Sequence, residues 1–283
     1  MPRRYDAVMP ISTDAQLVAR LRAAGCVFAE EEAALLAEAA GAGTDAAARL
    51  ERLVARRVAG EPLEQVLGWA EFAGRRIMLE PGVFVPRRRT EVVAAEGAAL
   101  ARAAAGSGDL PVVVDLCCGA GAIGAAIMDA AGPLDLVAAD VDPAAVRAAR
   151  RNLEPLAALV VEGDLFDPLP ERLRGLVDVL VVNAPYVPTA EIAMMPTEAR
   201  DHEALVALDG GADGLDVHRR VAASARDWLA DNGSVLIETS RRQAPTTLAL
   251  LDAAGLSEAR IVQDDEIDGT VIIARKTPAG APA

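Results

Sequence analysis

The segment Asp115-Leu-Cys-Cys-Gly119-Ala-Gly121-Ala-Ile-Gly124 constrains this chain most, because it follows a β-branched apolar run at 112–116 and opens a helix-forming stretch at 122–131. Glycines between a strand and a helix let backbone approach a ligand beside the helix N-terminus. By spacing alone the loop fits a dinucleotide fold, a fold that binds S-adenosylmethionine, or a plain tight turn. The same alternation of strand and helix continues downstream. Apolar runs at 134–139, 159–161, 177–182 and 234–238 read as strands, and 143–153, 216–230 and 242–254 read as helices. Alternation of this kind predicts a parallel sheet covered by helices on both faces. Residues 259–263 and 270–274 bracket an acidic turn at 264–269 and predict a closing hairpin, hence an antiparallel last strand.

Upstream the texture differs. Leu17, Leu21, Leu35, Leu36, Leu50, Leu53 and Val54 recur at helical spacing with breaks at Gly25 and 41–44, which predicts a small helical domain over residues 1–60. Residues 61–105 form a connector. Pro62, Gly68, Gly74, Pro81, Gly82 and Pro86 punctuate β-like pieces at 76–79 and 83–85, read as a hairpin, and a linking helix runs over 90–105. The main domain then covers 106–277, and the tail 278–283, which has almost nothing to pack with, reads as disordered. Between Asn183 and Asp213 there is no convincing strand, only a short helix at 190–198; a loop this long inside a domain is usually functional.

Composition excludes several classes. A formal net charge of -14 over 283 residues disfavours a nucleic-acid backbone as partner, since phosphate affinity is carried by Lys and Arg clusters. The three-arginine run Arg87-Arg88-Arg89 reads as a structural or solvated stretch. Three cysteines, two of them adjacent at Cys117 and Cys118, supply neither a disulfide framework nor a zinc site, so no metal is expected. Without a signal-peptide pattern or an apolar run of roughly 18 residues, the chain reads as cytoplasmic, free of the membrane and monomeric.

The chemistry-bearing residues cluster at strand ends, where open α/β sheets bind ligands. Asp140 ends the second strand of the main domain, where a carboxylate can accept both ribose hydroxyls of a nucleoside cofactor. Asp142, followed by Pro143, is better placed as a helix N-cap. Asp164 follows the third strand and can accept from an adenine amino group while Leu165 covers the ring, or can serve an ordinary Asx turn. Asp115 can hold the loop backbone or face the cofactor's amino-acid portion. Cys117 and Cys118 read as small buried loop residues rather than nucleophiles. Asn183-Ala184-Pro185-Tyr186 comes directly after the apolar run 177–182, and there a side-chain oxygen and a backbone carbonyl can accept both N–H groups of an amide or amino group. His202 and His218 read as surface or packing residues.

Taken together, these residues resemble the HemK/PrmC family of protein N5-glutamine methyltransferases. The resemblance spans about residues 60–276 and rests on Glu61-Pro-Leu-Glu-Gln-Val-Leu-Gly68 with Glu71-Phe72, Pro86-Arg87 with Thr90-Glu91, the glycine loop, the 183–186 tetrad, and Asp209-Gly-Gly-Ala-Asp-Gly-Leu-Asp216 with Arg219-Arg220. It implies a class I S-adenosylmethionine-dependent methyltransferase fold: a Rossmann-like, mostly parallel seven-stranded sheet with an antiparallel last strand, plus a small N-terminal helical domain for substrate recognition. It implies S-adenosyl-L-methionine as cofactor, held by Asp115, Cys117, Gly119, Gly121, Gly124, Asp140, Asp164, Leu165 and Asn183. It further implies a peptide chain release factor as the protein substrate, its glutamine amide held by Asn183 and the carbonyl of Ala184, with Tyr186 helping to wall the pocket and Pro185 completing the catalytic tetrad. The chain departs from the family in carrying Ala184 where the tetrad has proline, Arg88-Arg89 where a proline and an acidic residue are usual, and Glu203-Ala204 where Glu-Pro is usual. Competing readings are methylation of an exocyclic amino group of a nucleic-acid base, an NAD-dependent dehydrogenase, and a cofactor-binding relative that has lost activity. The missing basic groove disfavours the first, and the dehydrogenase leaves the tetrad unexplained.

Overall fold

The computed structural model describes residues 15–107 and 110–278, and the chain divides into two units, Met1–Gly68 and Trp69–Ala283. The tail read as disordered lies outside the described residues apart from Pro278. In the first unit, helices α1 (Ala15–Ala23), α2 (Ala29–Ala40), α3 (Ala46–Val58) and α4 (Leu63–Leu67) enclose a core of Leu17, Leu21, Ala33, Leu36, Val54 and Val66. The leucine spacing thus produces the expected helices. One charged pair is buried with them: Arg57 Nε donates to Glu32 Oε2 at 2.6 Å. Residues 61–68, grouped with the connector on sequence grounds, belong to this unit, because after Pro62 the stretch Leu63-Glu-Gln-Val-Leu67 coils into α4 and puts Val66 in the helical core.

The second unit opens with a two-stranded hairpin, β1 (Trp69–Phe72) and β2 (Arg75–Met78). Its turn residues Ala73 and Gly74 both have positive φ, the twist that a two-residue hairpin requires. Residues 83–85 are not a strand. Val83 and Val85 are buried, but the Val85 amide donates to the Glu203 carboxylate at 3.1 Å, so alternation here reports burial without a neighbouring strand edge.

After α5 (Glu91–Ala104) come β3 (Val112–Leu116), α6 (Ala122–Ala131), β4 (Asp135–Asp140), α7 (Pro143–Leu153), β5 (Leu159–Glu162) and β6 (Val177–Val182). The chain ends with α8 (Thr197–His202), α9 (Asp216–Trp228), β7 (Leu229–Glu238), α10 (Ala244–Ala253), β8 (Ser257–Asp264) and β9 (Gly269–Arg275). Seven strands form one sheet in the order β5-β4-β3-β6-β7-β9-β8. The first five of these pair in parallel, and β9 runs antiparallel between β7 and β8. Separate apolar clusters cover the two faces, which is why the central strands read as unbroken apolar runs.

Among the expected boundaries that shift, two have a clear local cause. The helix expected at 190–198 divides at Pro196 into a 3-10 segment, Thr189–Met194, and α8, because proline disfavours helix in the residue before it. The helix expected to reach 230 stops at Trp228, since Leu229 already pairs with Val177. From β3 the chain steps outward to β4 and β5, then returns to β6 on the other side of β3. That reversal is a topological switch point, and the crevice beyond the C-terminal ends of β3 and β6 is where ligands bind in such sheets.

Candidate functional site

A cavity of about 300 Å³ opens at this switch point. Its wall includes the loop after β3, Asp140 at the end of β4, Asp164 and Leu165 after β5, the tetrad after β6, and Phe84, Pro86, Arg87, Arg89 and Thr90 from the segment before α5. Sheet order is what brings these segments together.

The cofactor loop divides into two layers. Gly119, at φ 56, lines the cavity, and a Cβ built on it would meet nothing within 4 Å, so its bare face is an open cradle. Gly121 and Gly124 stand behind it: a Cβ at Gly121 would come within 2.7 Å of Leu153, and one at Gly124 within 2.9 Å of Leu136. Their expected cofactor contact is therefore replaced by close packing of α6 on its neighbours. Asp115 is in the same rear layer, fully buried, with Oδ2 accepting the Gly124 amide at 2.9 Å and Oδ1 without a hydrogen-bond partner. Of the two roles open to it, it takes that of loop holder, and burial pushes its pKa up to about 7.

Asp140 sits at the cavity wall. Oδ2 accepts the Gly119 amide at 2.8 Å and Oδ1 accepts the Asp142 amide at 2.9 Å, so the carboxylate fixes the loop that cradles a ligand while keeping lone pairs for one. Burial raises its pKa, and these two amides oppose the rise. Asp142 accepts the Ala144 amide at 2.9 Å as the N-cap of α7. Asp164 and Leu165 also line the cavity, but Asp164 Oδ2 already receives Arg220 at 2.7 Å, so the expected adenine contact is left to its other oxygen. Cys117 and Cys118 line the cavity with thiols whose pKa values burial drives upward, which keeps them protonated and poor nucleophiles.

All four tetrad residues line the cavity as well. Ala184 is buried at 2% exposure, so its small side chain is packed. Asn183 Nδ2 lies 3.5 Å from the Thr90 hydroxyl, and the Tyr186 hydroxyl donates to Glu238 Oε1 at 3.2 Å. Burial and the Glu238 carboxylate push the Tyr186 phenol well above its ordinary pKa. His218 is buried, paired through Nδ1 with Thr247, and its pKa is lowered by burial to about 4; it is a packing histidine.

Several residues that hold the tetrad give no local signal in the sequence. Gln243 Nε2 donates to the carbonyls of Tyr186 at 2.9 Å and Asp213 at 3.0 Å. Gly214, at φ 79, leaves room for this: a Cβ there would stand 2.3 Å from the Tyr186 oxygen. The long segment after the tetrad folds back through Glu203, which pairs with Arg87 and accepts the Val85 amide. The Ala204 amide donates to the Gly82 carbonyl at 2.9 Å, a bond that proline at this position could not make.

Comparison with known proteins agrees with this arrangement. A family model described as the methyltransferase small domain matches residues 99–211. A release factor glutamine methyltransferase from Geobacter sulfurreducens is 36% identical over 214 residues, covering 75% of this chain and 72% of that protein. A 4-amino-L-phenylalanine/4-methylamino-L-phenylalanine methyltransferase from Streptomyces pristinaespiralis is 34% identical, covering 83% of this chain and 80% of that protein. Among solved structures, the T. thermophilus 16S rRNA N2 G1207 methyltransferase in complex with AdoMet and guanosine has a TM-score of 0.50 at 20% identity, covering 74% of this chain and 49% of that one, a likeness of fold alone.

Proposed function

The chain belongs to the family of release factor glutamine methyltransferases, and from that premise we infer that it transfers the methyl group of S-adenosylmethionine to a glutamine side-chain amide of a protein, a peptide chain release factor. The observation that carries the reading is the meeting of the Gly119–Asp140 cradle and the Asn183 tetrad in one cavity. The residues fit the cofactor: an open glycine face beside a helix N-terminus and a wall carboxylate suit a nucleoside carrying an amino acid. When bound, S-adenosylmethionine supplies an electrophilic methyl group.

The protein's own residues bind and orient. In this reading Asp140 accepts from ribose hydroxyls, Asp164 and Leu165 border the base, and Gly119 offers backbone without a side chain in the way. Asn183 Oδ1 and the Ala184 carbonyl accept the two N–H groups of the incoming amide, aiming its nitrogen and stabilising the positive charge that builds there during transfer. An amide nitrogen is a weak nucleophile because its lone pair is delocalised, so placement matters more than basicity. Tyr186 is no candidate base, since its phenol is held protonated, and the proton leaves after transfer. Alanine at 184 keeps the carbonyl acceptor and gives up only the fixed φ of proline.

The proposal includes a monomer working in the cytoplasm on protein, a choice of acceptor that the net charge of -14 favours over nucleic acid. A second reading, transfer to a small aromatic amine, draws on the 34% identity to the 4-amino-L-phenylalanine/4-methylamino-L-phenylalanine methyltransferase. The test is to incubate the protein with radiolabelled S-adenosylmethionine and, separately, purified release factor, tRNA and free 4-aminophenylalanine. Label on a glutamine of the factor supports the proposal. Label only on the small amine or on tRNA overturns it.

A further inference from the structure

Asn152, in the last turn of α7, is 8% exposed and commits its whole side-chain amide to two segments remote in sequence. Its Oδ1 accepts the Met78 amide at 2.9 Å, and its Nδ2 donates to the carbonyls of Met78 at 2.9 Å and Ala120 at 2.8 Å. An asparagine side chain has two N–H donors and a carbonyl acceptor, and here each has a partner. The Met78 amide also settles which end is which, since a turned side chain would set N–H against N–H and its oxygen against two carbonyls. Met78 ends β2, so one buried side chain joins the hairpin to the loop after β3.

That loop is a closed turn. The Gly121 amide donates to the Cys118 carbonyl at 2.8 Å, and the two residues between them, Gly119 and Ala120, stand at the cavity wall. Asp140 holds the first of these by its amide, and Asn152 holds the second by its carbonyl. The peptide from Ala120 to Gly121 is thus gripped at both edges, by Cys118 within the turn and by Asn152 from outside it. Ala120 is 2% exposed, so its carbonyl has no water to turn to, and without Asn152 the turn must shift to find it a partner. Leu153, the next residue of α7, closes the space behind Gly121, where a Cβ would come within 2.7 Å of it. We propose that Asn152 is a positioning residue for S-adenosylmethionine, which fixes the Ala120 side of the cradle as Asp140 fixes the Gly119 side. This rests on the reading that the cofactor lies against the Gly119–Asp140 cradle. Asn152 does not line the cavity and touches no reacting atom.

Asn152→Asp tests this directly, because it keeps the shape and the bond from the Met78 amide but sets an oxygen against the Met78 and Ala120 carbonyls. It should weaken S-adenosylmethionine in calorimetry at least about tenfold, with kcat at saturating cofactor and acceptor within about threefold of wild type. Asn152→Ala should do the same, and carries the comparison if Asn152→Asp does not fold. Glu80→Gln separates cradle from hairpin: Glu80 ties the chain after β2 to Arg147 at 2.9 Å and Arg151 at 3.2 Å on the same helix, so its loss loosens the hairpin but leaves the Ala120 bond, and affinity should stay within about twofold of wild type. A further readout needs no ligand: in the cofactor-free protein, amide hydrogen exchange over residues 116–124 should quicken at least about tenfold in Asn152→Ala and stay unchanged in Glu80→Gln. Asp140→Ala checks the underlying reading. If it leaves affinity unaltered, the cradle reading falls, while exchange still reports whether Asn152 holds the turn. If it weakens the cofactor and the Asn152 variants do not, or if exchange over 116–124 is unmoved, the inference is overturned. Equal losses in Glu80→Gln, a fall in kcat as large as the fall in affinity, or failure of both Asn152 variants to fold would overturn it too, since each makes Asn152 a residue of the fold and not of the site.

Discussion

Gly214→Ala places one methyl group where the tetrad's support is tightest. The added Cβ would lie 2.3 Å from the Tyr186 carbonyl oxygen and 2.5 Å from Gln243 Nε2, against ordinary contacts beginning at 3.4 Å. Something must therefore move by about 1 Å, and the Tyr186 peptide is the group in the way. The left-handed backbone at φ 79 adds about 1 kcal/mol for a residue with a Cβ. The Gln243 bonds to the Tyr186 and Asp213 carbonyls, worth about 1 kcal/mol each, are disrupted together. The sum is about 3 kcal/mol, which for a unit of this size lowers the melting temperature by roughly 6–12 °C. A displacement of this size near the chemistry costs about 100-fold in turnover. Binding of S-adenosylmethionine should be nearly unchanged, since Gly119 and Asp140 are held by other bonds. Gly175→Ala is the control: its φ of 75 is close to that of Gly214, but the Cβ meets nothing within 4 Å, so turnover should not change. Melting by circular dichroism, calorimetry and label transfer together read all three quantities. A Gly214→Ala protein with turnover within about twofold of wild type would refute the argument that Gly214 and Gln243 set the tetrad.

Three further outcomes separate the roles assigned above. Asn183→Ala should lower transfer by at least about 100-fold while S-adenosylmethionine affinity stays within about threefold, and activity near wild type would remove Asn183 as the amide holder. Asp140→Ala should do the reverse, weakening the cofactor by about 10- to 100-fold in calorimetry, because it deletes the proposed ribose acceptor and frees the Gly119 amide; unaltered affinity would move the ribose contact elsewhere. For Asp115, burial lifts the pKa from 3.8 to about 7, so between those values the folded protein keeps a proton that the unfolded chain releases. Stability on this account falls as pH rises from about 4 to about 7 and levels off above, by about 4 kcal/mol in all. Asp115→Asn is neutral throughout and should flatten urea-unfolding stability over that window; parallel curves for the two proteins would contradict a buried neutral Asp115.

Much of this molecule was legible without coordinates wherever the determinant is local. The apolar runs at 112–116 and 177–182 became β3 and β6 with the expected bounds, and Pro143 after Asp142 gave the capped helix it suggests. The glycine loop, Asp140 and the tetrad all sit at strand ends because each is written into a strand–turn–helix segment that folds the same way wherever it lies. Where burial and pairing diverge, local pattern misled: Val83 and Val85 alternate like a strand, yet no strand lies alongside, and Asp115 carries the sequence mark of a ligand contact while standing behind the loop.

The sequence by itself determined the class of fold, the reaction it serves and several of the residues that line the cavity. Only the tertiary structure decided which residues hold them in place. Thr90 lies far before the tetrad along the chain and Gly214, Glu238 and Gln243 well after it, and they meet it at Asn183 and Tyr186 because the sheet order sets β7 beside β6 and brings the segments before α5 and after α8 to the same edge. No window of sequence contains that neighbourhood. A buried carboxylate acquires its meaning from the donors that surround it, and those donors are assembled by topology.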